Sequence, residues 1–217
     1  IVAEKLAEDL FKKKEIAHEV VGTVTGEELL GKKYTPLFDY YDNEKFLNSL
    51  GDKRENIWKV WHADFVDDSI GTGIAHEAPA FGEDDMNLAQ ANGIPVIKHV
   101  KMNGEFTDEV TDFKGLVVKK KDDYTSTDVE IIKWLDKEGK LFAKEKIVHS
   151  YPHCWRCDTP LLNYGTTSWF VAVTRIKEKL LRENSTIGWV PANVRDGRFG
   201  KWLEGARDWA VSRNRYW

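Results

Sequence analysis

The sequence predicts an α+β chain, with a β-barrel-like domain and flanking helices over residues 1–148 and a smaller mixed segment over 149–217. Three observations lead there. Short runs rich in Val, Ile, Trp and Phe, bounded by turn residues, outnumber the stretches with helical spacing. No internal repeat or low-complexity linker breaks the chain. From Tyr151 onward the character changes, as Trp155, Trp169, Trp189, Trp202, Trp209 and Trp217 spread through a segment where Arg and Lys outnumber the acids.

Composition sets the bounds. With 217 residues, 41% hydrophobic, and nine Trp, the chain can build a core and is not a disordered segment. A formal net charge of -4 does not mark a general nucleic-acid binder, so any such contact must be local. No apolar run approaches the ~20 residues of a bilayer span. The start, Ile1-Val2-Ala3-Glu4-Lys5, has neither an initiator Met nor a signal-peptide pattern. Two Cys do not make a secreted disulfide framework. The chain is expected to be an internal piece of a cytoplasmic protein, with no membrane contact.

Taken in order, Ala3, Leu6, Ala7, Leu10 and Phe11 recur at helical spacing and predict an amphipathic helix over about 2–13, ended by Lys12-Lys13-Lys14. Ile16 to Val24 has strand character, and Gly31 to Phe38 a turn and an extended piece. Residues 42–56 are polar and predict a loop with room for a helical turn. Ile57 to Val66 predicts a buried strand. Glu83, Asp84 and Asp85 suit the positive end of a helix that Gly93 closes. Ile94 to Val100 is a further strand, and Asn103-Gly104 a type I′ hairpin signal that pairs Phe106 to Val110 back. Phe113 to Lys119 is a short extended piece, and Lys119-Lys120-Lys121 a solvated face. Thr127-Asp128-Val129-Glu130 has capping-box spacing before the stripe Val129, Ile132, Leu135, with Gly139 at the end. Leu141 to Val148 predicts strand. Ser168 to Val173 predicts another, and Ile176, Leu180 and Leu181 a helix.

The stretch around which the chain is organised is Gly71-Thr72-Gly73-Ile74-Ala75-His76-Glu77-Ala78-Pro79-Ala80-Phe81-Gly82-Glu83-Asp84-Asp85. Gly71 and Gly73 lack Cβ atoms and allow a sharp turn and close approach to a ligand. His76 follows them in the same stretch. No Gly-x-Ser-x-Gly elbow, no Ser/His/Asp or Cys/His set and no His-Glu-x-x-His helix is present.

This stretch resembles the editing-domain signature of isoleucyl-tRNA synthetases. The valyl and leucyl enzymes share the Gly-Thr-Gly but differ at the His76 position and in Phe81-Gly82-Glu83-Asp84-Asp85. Two further segments resemble the same family. His149-Ser150-Tyr151-Pro152-His153-Cys154-Trp155-Arg156-Cys157-Asp158-Thr159-Pro160-Leu161 is similar to the exit from the editing domain, and Asp208 to Trp217 to the re-entry into the catalytic domain.

The resemblance implies post-transfer hydrolysis of a mischarged valyl-tRNA(Ile) ester. It implies tRNA(Ile), through its acceptor end, and the remainder of the synthetase chain as partners. In the catalytic roles it sets His76, near the amino acid, to hydrogen-bond the ribose or the attacking water or to wall the pocket against a larger side chain, and Asp85, as anchor of the substrate's α-ammonium. Gly71, Thr72 and Gly73, with Asp85, bind substrate. A positioned water, without a covalent intermediate, fits the missing nucleophile.

The synthetase's ATP-binding signatures are absent from this chain. No cofactor is therefore expected here, while ATP, Mg and possible zinc belong to the parent enzyme. The family's threonine-rich strand, on the other side of the pocket, has no counterpart; Thr166-Thr167 belongs to the segment before Trp169. The alternative reading is a non-catalytic module that docks the acceptor end of tRNA. Cys154-x-x-Cys157 has zinc-ribbon spacing, but a closed structural zinc takes four ligands and no second Cys pair exists, so stoichiometric zinc is not expected.

Overall fold

The computed structural model describes residues 1–213. Residues 214–217, which include the Trp217 named above and end the Asp208–Trp217 match, lie outside the described residues. The chain divides into two compact units, Ile1–Gly165 and Thr166–Trp217. The change in sequence character at 149 falls within the first.

In the first unit, helix α1 spans Glu4–Lys13. Leu6, Ala7, Leu10 and Phe11 form its half-buried stripe, as their spacing predicts. Phe11 stacks on His18 at 4.3 Å and meets Phe142 edge-on at 5.9 Å. Lys13 and Lys14 pair with Glu145 at 2.7 and 3.0 Å. Helix α2, Gly26–Leu29, opens on a capping box between Thr25 and Glu28. Residues 42–56, expected as a loop with room for one helical turn, hold more helix than that: α3 (Glu44–Ser49), capped by the Asn43 side chain, and a 3-10 turn over Gly51–Asn56. Asn43 supplies the start signal that this reading passed over.

Helix α4 covers Glu83–Asn92 and ends at Gly93 with φ 66°. The Asn56 amide donates to the carbonyls of Asn92 and Gly93 and satisfies that terminus. Helix α5 covers Ser126–Lys137. Gly139 (φ 64°) and the bond from Lys140 N–H to Leu135 O at 2.8 Å form its Schellman close. The capping box predicted at Thr127-x-x-Glu130 does not form. Thr127 lies inside the helix, almost fully buried, and its hydroxyl donates to Val117 O at 2.7 Å instead.

The core of this unit is Val100, Phe106, Val110 and Phe113, with Phe38, Ile131, Trp134 and Tyr164 packed around it. Phe113 meets Phe106, Phe38 and Trp134 with ring centroids 6.0–6.2 Å apart. Burying one such ring contributes roughly 1.5–3 kcal/mol. Three extended runs feed this core, bridged at Val100↔Phe106 and Glu105↔Val117. The Asn103-Gly104 hairpin forms, but not as type I′. Gly104 N–H donates to Lys101 O at 2.9 Å and only Gly104 (φ 84°), not Asn103, has positive φ. That is the three-residue loop in which a type I turn is followed by a left-handed glycine.

A closed barrel is not what these residues build. Among the described residues the extended runs of this unit meet through isolated bridges, whereas a barrel needs a continuous ladder on both sides of every strand. One failed strand has a local cause, and two lack a neighbour among the described residues. Ile57 to Val66 bridges Lys33 at Lys59 only, because Trp58 sits at φ 48°, a left-handed conformation that interrupts a pleat. Ile16 to Val24 and Leu141 to Val148 find no ladder partner, and Val21 and Val148 are 93% and 94% exposed.

The second unit pairs β1 (Phe170–Val171) antiparallel with β2 (Trp209–Ala210). Between them lie a 3-10 turn at Val173–Ile176, α6 (Lys177–Thr186), α7 (Asn193–Asp196) and α8 (Arg198–Glu204). Asn184 is buried in α6 and satisfied on both sides, donating to Arg195 O and accepting from the Trp189 indole, each at 2.9 Å. The α+β class holds for the chain.

Candidate functional site

The loop from Ile70 to Asp85 is built from two turns. In the first, Gly73 N–H donates to Ile70 O at 3.2 Å, with Gly71 and Gly73 at φ 63° and 73°. The Thr72 hydroxyl donates to Ile74 O at 3.0 Å, and Thr72 O accepts the Ala3 N–H at 2.7 Å. A Cβ on Gly73 would lie 2.4 Å from the Ala3 Cβ, so the close approach that requires glycine here is to the start of α1. In the second turn, Phe81 N–H donates to Ala78 O at 2.8 Å, and Gly82 then enters α4.

Asp85 occupies the third position of α4 and is half-buried, while Asp84 beside it is exposed. The Asp85 side chain folds back over Gly82, where an added Cβ would come within 2.7 Å of the Asp85 carboxyl carbon. Its Oδ2 accepts the Ala78 N–H at 2.7 Å. The acidic first turn is thus more than helix-end charge: one carboxylate ties the helix to the loop that carries His76. His76 itself is exposed.

Glu77 completes this corner and was not signalled by the sequence, where it is one polar residue between His76 and Ala78. Its Oε2 is enclosed without a hydrogen-bond partner. Burial first, then a hydrogen bond with Asp85, then the negative charges of Asp85 and Asp84, push the Glu77 carboxyl up to about 7. His99 also lies close by. Burial, and secondarily the charge of His76, hold its imidazole below the ordinary range. His99 packs on Phe81 at 4.7 Å and, with Phe106, Tyr151, Leu162 and Asn163, lines a cavity of about 290 Å³. A lone His at the end of the apolar run 94–100 was the one available hint. The structure therefore brings Glu77 within electrostatic reach of Asp85, and His99 within reach of His76, while the contacts of Gly71, Thr72 and Gly73 run to α1 and within their own turn.

Cys154 and Cys157 sit at the tip of a hairpin bridged at His153↔Pro160. Cys154 N–H donates to Thr159 O at 2.9 Å, and Asp158 N–H to Cys154 O at 2.8 Å. The Thr159 hydroxyl and backbone, then Cys154, lower the Cys157 thiol to about 7. These two sulfurs could supply half of a tetrahedral zinc site. Among the described residues no group of three or more His, Cys, Asp or Glu side chains is arranged to hold a metal, so the residues here do not fit a closed zinc centre.

The family model described as tRNA synthetases class I (I, L, M and V) matches residues 98–217. The chain belongs to the class I tRNA synthetases. Relatives of this synthetase chain include the isoleucine–tRNA ligases of Treponema denticola, 48% identical over 204 residues and 92% of the chain, and of Chlamydia pneumoniae, 45% identical over 198 residues and 91%. The isoleucine–tRNA ligase of Clostridium tetani is 46% identical over 200 residues and 92% of the chain. The chain spans only 18% of the length of each of these relatives. Among the described residues no helix is long and apolar enough to cross a membrane.

Proposed function

We propose that this chain is the part of an isoleucyl-tRNA synthetase that hydrolyses a valyl ester wrongly attached to tRNA(Ile). What supports the reading above all is the half-buried Asp85 carboxylate, held beside the His76 loop, in a chain similar to isoleucine–tRNA ligases. An apolar pocket gains only ~1–3 kcal/mol from one methylene, a limit for which this enzyme class is the standard illustration, so a second, smaller site must remove the valine.

In this reading Asp85 takes the α-ammonium of the aminoacyl ester. One of its oxygens is engaged by Ala78 N–H, which fixes the direction in which the rest of the carboxylate is offered. His76, exposed on the same loop, faces the ribose or the attacking water. Water adds to the ester carbonyl, the carbonyl–ribose oxygen bond breaks, and the ribose oxygen leaves with a proton, giving free valine and intact tRNA. Positioning supplies most of the acceleration, since no side-chain nucleophile is required. The barrel that belongs to this reading would be closed by strands from other parts of the synthetase. The acceptor end of tRNA(Ile) and the remaining synthetase chain are its partners, and isoleucine activation with ATP and Mg belongs elsewhere in that enzyme.

A second reading has an observation of its own. Gly71, Thr72, Gly73 and Asp85 are engaged within their loops and with Ala3, as expected of a non-catalytic module that only docks the acceptor end. Deacylation of valyl-tRNA(Ile) by the full synthetase decides between them. Hydrolysis reduced about 10-fold or more by His76→Ala, at unchanged tRNA affinity, supports the editing site, using 1.4 kcal/mol per decade. Unchanged hydrolysis supports docking alone.

A further inference from the structure

We propose that Glu77 is a positioning residue for Asp85: the two carboxyls form a proton-sharing pair that sets how much negative charge this corner presents. The argument begins with geometry. Ala78, the residue after Glu77, gives its N–H to Asp85 at 2.7 Å, so the turn that fixes Asp85 also carries Glu77 to it. Gly82 leaves the room, since a side chain there would displace the Asp85 carboxyl. The Glu77 Oε2 is enclosed and makes no hydrogen bond, a poor environment for a charged oxygen. Two carboxylates that share one enclosed space resist joint ionisation, and the pair titrates as a unit.

The charged groups that act on Glu77 are Asp85 and Asp84 from α4; His76 is its neighbour in sequence, and the charge of His76 acts on His99. Burial first, then the Asp85 hydrogen bond and the charges of Asp85 and Asp84, hold Glu77 at about 7. Below that value Glu77 is neutral and donates its proton to Asp85, so the pair carries one negative charge and Asp85 is held. Above it both are ionised, the pair carries two charges, and Asp85 loses a donor. Because the Glu77 pKa is raised on folding, its stabilising contribution is present at pH 4 and is lost as the pH rises through 7. If Asp85 anchors the α-ammonium, a step that rests on the function proposed above, Glu77 makes that anchor sensitive to pH across the neutral range.

The test is a carboxyl ¹³C NMR titration of the 217-residue chain. This readout resolves Glu77 from the His76 and His99 imidazoles and needs no substrate. The expected result is a Glu77 signal with a midpoint near 7 and a matching inflection in the Asp85 signal. Asp85→Asn should shift the Glu77 midpoint downward, and Glu77→Gln should abolish the Asp85 inflection. Glu77→Gln should also raise the melting temperature at pH 8 relative to its effect at pH 5, which loss of a merely structural contact would not do. A Glu77 midpoint near the ordinary 4.5, or an Asp85 curve unchanged by Glu77→Gln, overturns the pair. A paired titration in a synthetase that fails to hydrolyse valyl-tRNA(Ile) supports the pair and overturns the hydrolysis reading alone.

Discussion

Replacing Asp85 by Ala and by Asn separates its hold on its own loop from the substrate role proposed for it. The Ala78 N–H donates to a carboxylate at 2.7 Å, and a hydrogen bond to a charged group contributes ~1.5–3 kcal/mol. Asp85→Ala removes it and leaves the part-buried amide unpaired. Asp85→Asn keeps a neutral acceptor, worth ~0.5–1.5 kcal/mol, so its loss is about half as large. For a chain of this size 1 kcal/mol corresponds to ~2–4 °C, which gives a fall in melting temperature of roughly 3–12 °C for Ala and about half that for Asn. Relief of Glu77 partly offsets both at pH 8, where the two carboxylates repel. The charge needed for an α-ammonium is lost equally in both variants. Hydrolysis of valyl-tRNA(Ile) by the full synthetase should therefore fall about 10-fold or more in each, with isoleucine charging nearly unchanged. Exposed Asp84 is the control, and Asp84→Ala should do little to either. If Asp85→Asn edits normally while Asp85→Ala loses both stability and editing, Asp85 is a bolt for the loop and the anchor role is wrong. If Asp84→Ala and Asp85→Ala are equally harmful on both counts, the acidic turn is only a helix start.

Three further outcomes are expected. Phe113→Ala, at the centre of the aromatic core, should cost ~3–5 kcal/mol and lower the urea midpoint accordingly. Gly71→Ala should cost only the ~1–2 kcal/mol of a left-handed residue, because nothing lies within 4 Å of an added Cβ, whereas Gly73→Ala meets Ala3 at 2.4 Å and should cost clearly more by thermal melting. Zinc titration of the isolated chain should give well under one tightly bound ion per chain, since Cys154 and Cys157 provide half of the usual four ligands; one tetrahedral zinc per chain by metal analysis would refute this.

How much of this was legible in the sequence depends on the range of the interaction that decides each feature. Helices whose ends are written locally were legible: α1 from its apolar stripe and lysines, α4 from its acidic start and Gly93, α5 from Gly139. The capping box shows the limit of that reading. Thr127-x-x-Glu130 and Thr25-x-x-Glu28 have the same spacing, yet only the second forms, because the buried Thr127 hydroxyl is drawn to Val117, ten residues away in sequence. The strands were least legible. Val, Ile and Trp mark surface that suits a sheet, but a ladder also needs a neighbour, and Ile16 to Val24 has none among the described residues. Val20, Val21 and Val24 of that run are left exposed rather than paired.

The site divides in the same way. His76 and Asp85 stand out by residue type and by resemblance to a family, which is information carried one residue at a time. Glu77 has no such signature, and its chemistry comes wholly from enclosure. A glutamate on an open surface would be an ordinary carboxylate; this one is turned inward by the Ala78–Phe81 turn and meets a side chain that Gly82 allows to fold back. The glycine before α4 therefore does two things that only geometry reveals. It starts the helix without a side-chain cap, and it leaves the volume in which two carboxyls and the Ala78 amide converge. The acidic turn that suits a helix dipole is also the means by which the dipole's positive end, through Asp85, reaches the loop bearing His76. If Asp85 anchors the substrate as proposed, holding the loop and anchoring are for this reason coupled uses of one side chain, and only a substitution that preserves the hydrogen bond while deleting the charge can pull them apart.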